Sequence, residues 1–453
     1  MRNVICVLLL MSLCPWQNCA GLPGGFRNST FAEEYAEDWG YITVRPEAHL
    51  FWWLYTREDA TSLPLVLWLQ GGPGGSGAGF GNFGEIGPLD VGLQPRETTW
   101  LKAANLLFID NPVGTGFSYV TDDNAYAKTV DEIAEDLVAF FKEFFQKKPD
   151  LQNVPFYIFS ESYGGKMTAV FAVHLWKAVR RGDVVCKFKG AAMGDSWIHP
   201  KIIVDSWGPY LYSTSFVDDN GLALVNESAA NISAAIAAGE WKEATALWDA
   251  SEDVVGEVTG GVDWYNILSP IPEKRHLEGK RAFRQSQSIR DKALRKLYQK
   301  HVAVHQKDAL DALMNGPVRK RLGIIPENVT WGGQSAEVFI NQEEEFMKPV
   351  THAVDFLLSK TTLNVVVYNG QLDLICDTIG VEAWVQTLKW TGLPSFNAAK
   401  REHVVLEETG DIVGYFKQYK RFSFYWMLRG GHMLPADQGP ATLQMLQMIL
   451  DSK

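Results

Sequence analysis

Short apolar runs that end in small or polar residues alternate with segments of helical period along the first half of this chain. Residues 63–69 and 156–159 are short apolar runs bounded by turn residues, the pattern of buried strands, and 105–109 and 188–193 read as further strands, with Asn105 and Lys189 as their polar positions. Ahead of them, residues 41–44 and 49–55 alternate or are rich in aromatics, and Arg45, Pro46 and Glu47 break them into two paired strands. Between the strands lie amphipathic helices. Residues 131–147 place Ile133, Leu137, Phe140, Phe141 and Phe144 on one face, and Met167, Val170, Phe171, His174, Leu175 and Ala178 form another apolar face further on. Strand–helix alternation of this kind predicts an α/β fold with a mostly parallel central sheet.

From residue 197 to 346 the pattern changes. Alanine-rich segments (228–247) and charged helices (288–313) replace the alternation, which predicts a mainly helical insertion capping the sheet. Strands resume at 364–368, 412–419 and 421–427, and a helix over 440–450 closes the chain. The expected organisation is a core in two parts, 27–196 and 347–453, with the cap, 197–346, between them.

Composition narrows the class. A chain of 453 residues with 46% hydrophobic content can bury a large core. Acidic residues outnumber basic ones, 53 to 42, for a net charge of −11, so no nucleic-acid surface is expected; Arg319, Lys320 and Arg321 read as a solvated helix face. Arg2 followed by an apolar run over 4–13 and then small and polar residues is the pattern of a secretory signal peptide within residues 1–26, cleaved between Cys19 and Phe26. No other stretch approaches membrane-spanning length, so no stable anchor is expected. Four Asn-x-Ser/Thr sequons, at Asn28, Asn226, Asn231 and Asn328, then read as glycosylation acceptors in a secreted or lysosomal protein. Cys6, Cys14 and Cys19 fall in or beside the signal. Only Cys186 and Cys376 remain, so stability must come from the core, and two free thiols are expected.

Ser162 sits where the run 156–159 gives way to a helical pattern, flanked by Glu161 and Tyr163 and followed by Gly164 and Gly165. A serine on a sharp strand-to-helix turn has its hydroxyl exposed, and small neighbours let the helix pass close to the strand, which describes a nucleophile elbow. Upstream, the glycine-rich loop from Gln70 to Gly77 lacks the Gly-Lys-Ser/Thr ending of a phosphate loop, and its proline argues against a dinucleotide fingerprint. An oxyanion hole of backbone N–H groups suits it best. Asp373 and His432 each follow a predicted strand, and Ser162, Asp373 and His432 appear in the chain order of α/β-hydrolases.

Together, Trp68-Leu69-Gln70-Gly71-Gly72-Pro73-Gly74, Glu85-Ile86-Gly87-Pro88, the block from Asp110 to Tyr119, Ser160-Glu161-Ser162-Tyr163-Gly164-Gly165, Asn369-Gly370-Gln371-Leu372-Asp373 and Gly431-His432-Met433-Leu434-Pro435 resemble the serine carboxypeptidases, over nearly all the chain from residue 40 onward. The resemblance implies an α/β-hydrolase fold. It implies that Ser162 attacks the scissile carbonyl, that His432 moves its proton and that Asp373 orients the imidazole. It further implies an oxyanion hole from the N–H groups of Gly72 and Tyr163, and a clamp for the substrate's free α-carboxylate from Gln70, Glu85 and Glu161, one glutamate carrying a proton. Peptide or protein C-termini would be the substrates, with no cofactor and no metal, and a homodimer is compatible with it. Four positions depart from the family pattern: Gln70 stands for an asparagine, Gly75 for a cysteine, Ser160 for the elbow glycine, and Gln371 for an aspartate. Two other readings use the same residues: an acyltransferase passing the acyl group to an alcohol, and a non-catalytic secreted binding protein that retains the triad.

Overall fold

The computed structural model describes residues 35–270, 307–332 and 335–452. The expected signal peptide, Asn28 and most of the expected charged helices over 288–313 lie outside the described residues. Eleven strands form one sheet: β1 (Tyr35–Arg45), β2 (Ala48–Arg57), β3 (Leu65–Leu69), β4 (Asn105–Ile109), β5 (Tyr119–Val120), β6 (Pro155–Glu161), β7 (Lys187–Gly194), β8 (Asn364–Gly370), β9 (Glu402–Val405), β10 (Ile412–Tyr419) and β11 (Phe422–Met427). Their order is β1-β2-β4-β3-β6-β7-β8-β11-β10-β9, with β5 beside β2. The six strands from β4 to β11 run parallel. Hairpins make the flanks antiparallel: β1 with β2 on one side, β9, β10 and β11 on the other. This is the α/β-hydrolase fold.

Parallel neighbours require crossover connections, and helices α1 (Val130–Lys147) and α2 (Tyr163–Arg181) supply two of them. The central strands read as continuous apolar runs because both faces are covered. In β3, Leu65, Leu67 and Leu69 enter the core shared with α1 and α2, while Val66 and Trp68 enter the core shared with the closing helix Gly439–Asp451. Phe141 anchors the first of these cores, its ring centroid 5.5, 5.0 and 5.7 Å from those of Phe145, Phe156 and Phe171. Each such burial stabilises by roughly 1.5–3 kcal/mol.

Between β7 and β8 the described elements are helical: α3 (Pro200–Ser213), α4 (Asp219–Ala238), α5 (Trp241–Thr259), short turns over 307–322, and the helices Ala336–Phe346 and Thr351–Lys360. The alanine-rich stretch is parted at Gly239, whose φ of 75° ends α4 in a left-handed cap. Strands β5 and β9 carry no sequence pattern, being two and four residues long, with only Val404 buried in β9.

Candidate active site

Strand β6 ends at Glu161, and α2 begins at Tyr163; Ser162 between them has φ 63° and ψ −131°. Such a conformation in a non-glycine residue costs about 1–3 kcal/mol and persists only where the surroundings impose it. Here they do. Ser162 N donates to the carbonyls of Gly194 (3.0 Å) and Asp195 (3.1 Å), and its own carbonyl accepts from Gly165 N (3.0 Å) and Trp197 N (3.1 Å). A Cβ on Gly164 would collide with the Leu69 carbonyl, and one on Gly165 with Ser196 Oγ, so the helix start admits only glycine there. Ser162 itself stays partly exposed between buried Glu161 and Tyr163. Ser160, in the place of the elbow glycine, is buried but satisfied, its hydroxyl donating to the Ala192 carbonyl at 3.1 Å.

Asp373 and His432 follow β8 and β11, adjacent strands of the sheet. Their loops are laced together: Gln371 N donates to Met427 O (2.9 Å), Leu372 N to Gly430 O (2.8 Å), and Arg429 N to Gln371 Oε1 (3.1 Å). Gln371 thus joins the two loops through its side chain. His432 Nδ1 lies 2.8 Å from Asp373 Oδ2 with the two side chains 2% and 0% exposed. Asp373 Oδ1 accepts from Cys376 N at 3.0 Å, and His432 N donates to the Tyr265 carbonyl at 2.6 Å. With Nδ1 engaged by the carboxylate, the free ring nitrogen is Nε2, the one a general base would use. Ser162 and His432 are not hydrogen-bonded to each other in this arrangement; such bonds are often long before substrate arrives.

The glycine-rich loop lies directly on the elbow. A Cβ on Gly71 would overlap Ser162 Cβ and come within 2.9 Å of Ser162 Oγ. Gly72, next along, has φ 116°. Asp110 ties this loop down from β4, accepting from Ser76 Oγ (2.5 Å), Ala78 N (3.0 Å) and Phe117 N (2.8 Å).

Beside the elbow, Gln70 spans two buried groups: its Oε1 accepts from Trp68 Nε1 (2.7 Å) and its Nε2 donates to Glu161 Oε1 (2.9 Å). Gly75 leaves room for this longer side chain, since a Cβ there would stand 3.2 Å from Gln70 Cγ and 2.8 Å from Gly71 O. The departures at 70 and 75 are therefore neighbours. Glu85 and Glu161 are 3% and 2% exposed, and both oxygens of Glu85 and Oε2 of Glu161 have no protein partner. Burial raises the Glu85 carboxyl above the usual range, against contacts with Glu161 and Gln70 that act to lower it. Burial and then the charge of Glu85 push Glu161 well above that range. Two such acids facing each other retain a proton between them.

Sequence reasoning missed Asp195, Tyr265 and Trp68. Asp195 was findable, because it follows the carboxyl end of β7 as Asp373 follows that of β8. Tyr265, tilted against the His432 ring at 5.2 Å, sits in an irregular segment with no signal. Cys186 and Cys376 are both free thiols, Cys376 buried. Donor atoms of Asp373, Cys376 and His432 lie within 4.8 Å of one another. Burial pushes the Cys376 thiol well up, which opposes the thiolate a metal would need, and Nδ1 of His432 is already engaged. Asn226, Asn231 and Asn328 are exposed. A cavity of about 580 Å³ opens beside the site, lined by Asn266, Leu268, Ser269, Gln371, Leu372 and Arg429.

The serine carboxypeptidase family model matches residues 25–452. The chain belongs to the serine carboxypeptidase family. It is thus an enzyme of the serine-type carboxypeptidase class. Over 422 residues it is 51% identical to the retinoid-inducible serine carboxypeptidase of Homo sapiens, covering 92% of each chain. It is 41% identical over 432 residues to the serine carboxypeptidase-like 51 protein of Arabidopsis thaliana, again with 92% of each covered. The crystal structure of a prohormone-processing carboxypeptidase from Saccharomyces cerevisiae superimposes with a TM-score of 0.74 at 21% identity, covering 91% of this chain and 90% of that one, a likeness of fold. No described helix is long and apolar enough to cross a membrane.

Proposed function

We propose that this carboxypeptidase releases single amino acids from free peptide C-termini through an acyl-enzyme on Ser162. The buried carboxyl pair with its unpartnered oxygens, one residue from the serine, carries this reading. A site for ordinary internal peptide bonds has no use for two buried acids sharing a proton beside an amide; a site for a terminal carboxylate does. The substrate's carboxylate takes the shared proton of Glu85 and Glu161 as a hydrogen bond, and Glu161 is held in place by Gln70. That grip sets the last peptide bond over Ser162. His432 takes the Ser162 proton as the hydroxyl attacks, with the imidazolium stabilised and oriented by Asp373. The N–H groups of Gly72 and Tyr163 receive the oxyanion. His432 then protonates the departing amino acid, and water, activated the same way, releases the shortened peptide. The enzyme works in the secretory pathway, secreted or lysosomal, with Asn28, Asn226, Asn231 and Asn328 as glycan acceptors; it needs no cofactor, metal, nucleic acid or membrane anchor.

An organophosphonate tests the nucleophile. Peptide mass mapping should place the single adduct on Ser162, and His432→Ala should suppress it. An adduct elsewhere would remove Ser162 from this role.

A further inference from the structure

Asp195 touches both halves of the proposed relay. Its carbonyl accepts from Ser162 N (3.1 Å), its N donates to the Tyr368 carbonyl (2.9 Å), and its Oδ1 accepts from Gly370 N (2.7 Å), just ahead of Asp373. The side chain is 0% exposed, its backbone φ is 45°, and Oδ2 is buried with no donor. The Asp373 carboxyl acts on it, by its charge and through a hydrogen bond. Two carboxyls so placed either repel or share a proton. Asp373 already accepts at both oxygens, from Cys376 N and from His432 Nδ1, whereas Asp195 Oδ2 has no donor, so the place left for a proton between the two is Asp195 Oδ2.

We infer that Asp195 carries that proton, through Oδ2, and donates it as a hydrogen bond to Asp373, which makes it a positioning residue for the Asp373–His432 pair. Its effect is electrostatic as well as geometric. A donor on Asp373 withdraws negative charge from the carboxylate, which then stabilises an imidazolium less strongly. The acid limb of the reaction, where His432 must be neutral to act as a base, is therefore where removing that donor is read. The charged and titratable groups around Asp195 are consistent with it: Asp373, Asp437, Glu161, Tyr368 and Cys376 face it, all acids, together with His432 beyond Asp373. Burial first, and the charge of Asp373 second, push the Asp195 carboxyl well above the usual range.

The inference rests on the triad reading given above, so the test separates the two. The readout is the acid limb of kcat/KM for an ester or amide without a free carboxylate, which does not need the Glu85–Glu161 proton. The position of that limb does not depend on how much of a variant folds. Asp195→Asn keeps both the acceptor for Gly370 N and a permanent donor for Asp373, so its acid limb should stay at the wild-type pH. Asp195→Ala removes the donor, and its limb should move up by roughly one pH unit, the size of one hydrogen bond to a charged group. A downward shift in Asp195→Asn would mean that wild-type Asp195 is ionised, and would overturn the inference. An unmoved limb in both variants would also overturn it, leaving Asp195 a purely structural residue. Ser162→Ala runs alongside: if it keeps its turnover, the triad reading fails whatever the Asp195 variants do.

Discussion

Gln70→Asn restores the residue type of the family pattern, and the resemblance alone suggests that a shorter amide fits a small carboxylate better. The structure reverses that expectation. The Gln70 amide reaches from Trp68 Nε1 at 2.7 Å to Glu161 Oε1 at 2.9 Å. Asparagine is shorter by one carbon–carbon bond, about 1.5 Å, and cannot hold both. One loss leaves the Trp68 indole N–H, on a residue 0% exposed, without an acceptor, at a cost of about 1–3 kcal/mol. The other leaves Glu161 free to turn from the substrate. A misplaced hydrogen bond to the terminal carboxylate is worth about 1.4–2.8 kcal/mol, or roughly 10- to 100-fold in KM. Because that carboxylate is gripped equally before and during reaction, kcat should change little. The assay is kcat and KM on matched peptides with free and amidated C-termini. KM should rise for the free peptide only. A KM that falls, or one that changes equally for both peptides, refutes the reasoning.

The clamp's acids set a pH dependence whose sign follows from their raised pKa values. The shared proton is present at acid pH and lost as pH rises through the raised value, so peptidase kcat/KM should decline on the alkaline side before that of esters does; Glu85→Gln should remove the difference between the two profiles, and an unchanged peptidase limb would exonerate the pair. Burial pushes Cys186 up to about 12 and Cys376 well above its usual value, so iodoacetamide at neutral pH should modify neither thiol in the native protein and both in denaturant; rapid native labelling of Cys376, or a Cys186–Cys376 bridge in a mass map, would contradict this. Phe141→Ala should destabilise by about 3–5 kcal/mol in a denaturant titration, given its packing on Phe145, Phe156 and Phe171; a loss below about 1 kcal/mol would show that the cluster repacks around the gap.

The order of elements was legible because the central strands are buried twice over. Leu65 to Leu69 has no polar position to lose, and runs of that kind are seldom anything but strands in a parallel sheet. The elbow was legible only together with its partners: small residues around a serine are common, and it is the glycine-rich loop upstream with Asp373 and His432 downstream, in the α/β-hydrolase order, that marks Ser162. The hairpin edge at β9 was not, since an exposed four-residue strand gains its register from β10 and not from its own side chains. Asp195 could be found by its place at the carboxyl end of β7, but its role could not. Its meaning depends on Gly370 and Asp373, about 175 residues away in sequence and adjacent only once β7 and β8 pair. Gln70 misled for the same reason: the residue that makes it fit, Trp68, points to it only in the folded loop.

The most direct test of the central claim is C-terminal trimming of a peptide library, read by mass spectrometry, by wild type and by Ser162→Ala over about pH 4 to 7, a range that brackets carboxyl and imidazole titration. Wild type should shorten peptides with free C-termini by one residue at a time and leave their amidated counterparts longer-lived, while Ser162→Ala leaves every peptide intact. Intact peptides with both proteins, or equal trimming by both, would contradict the account.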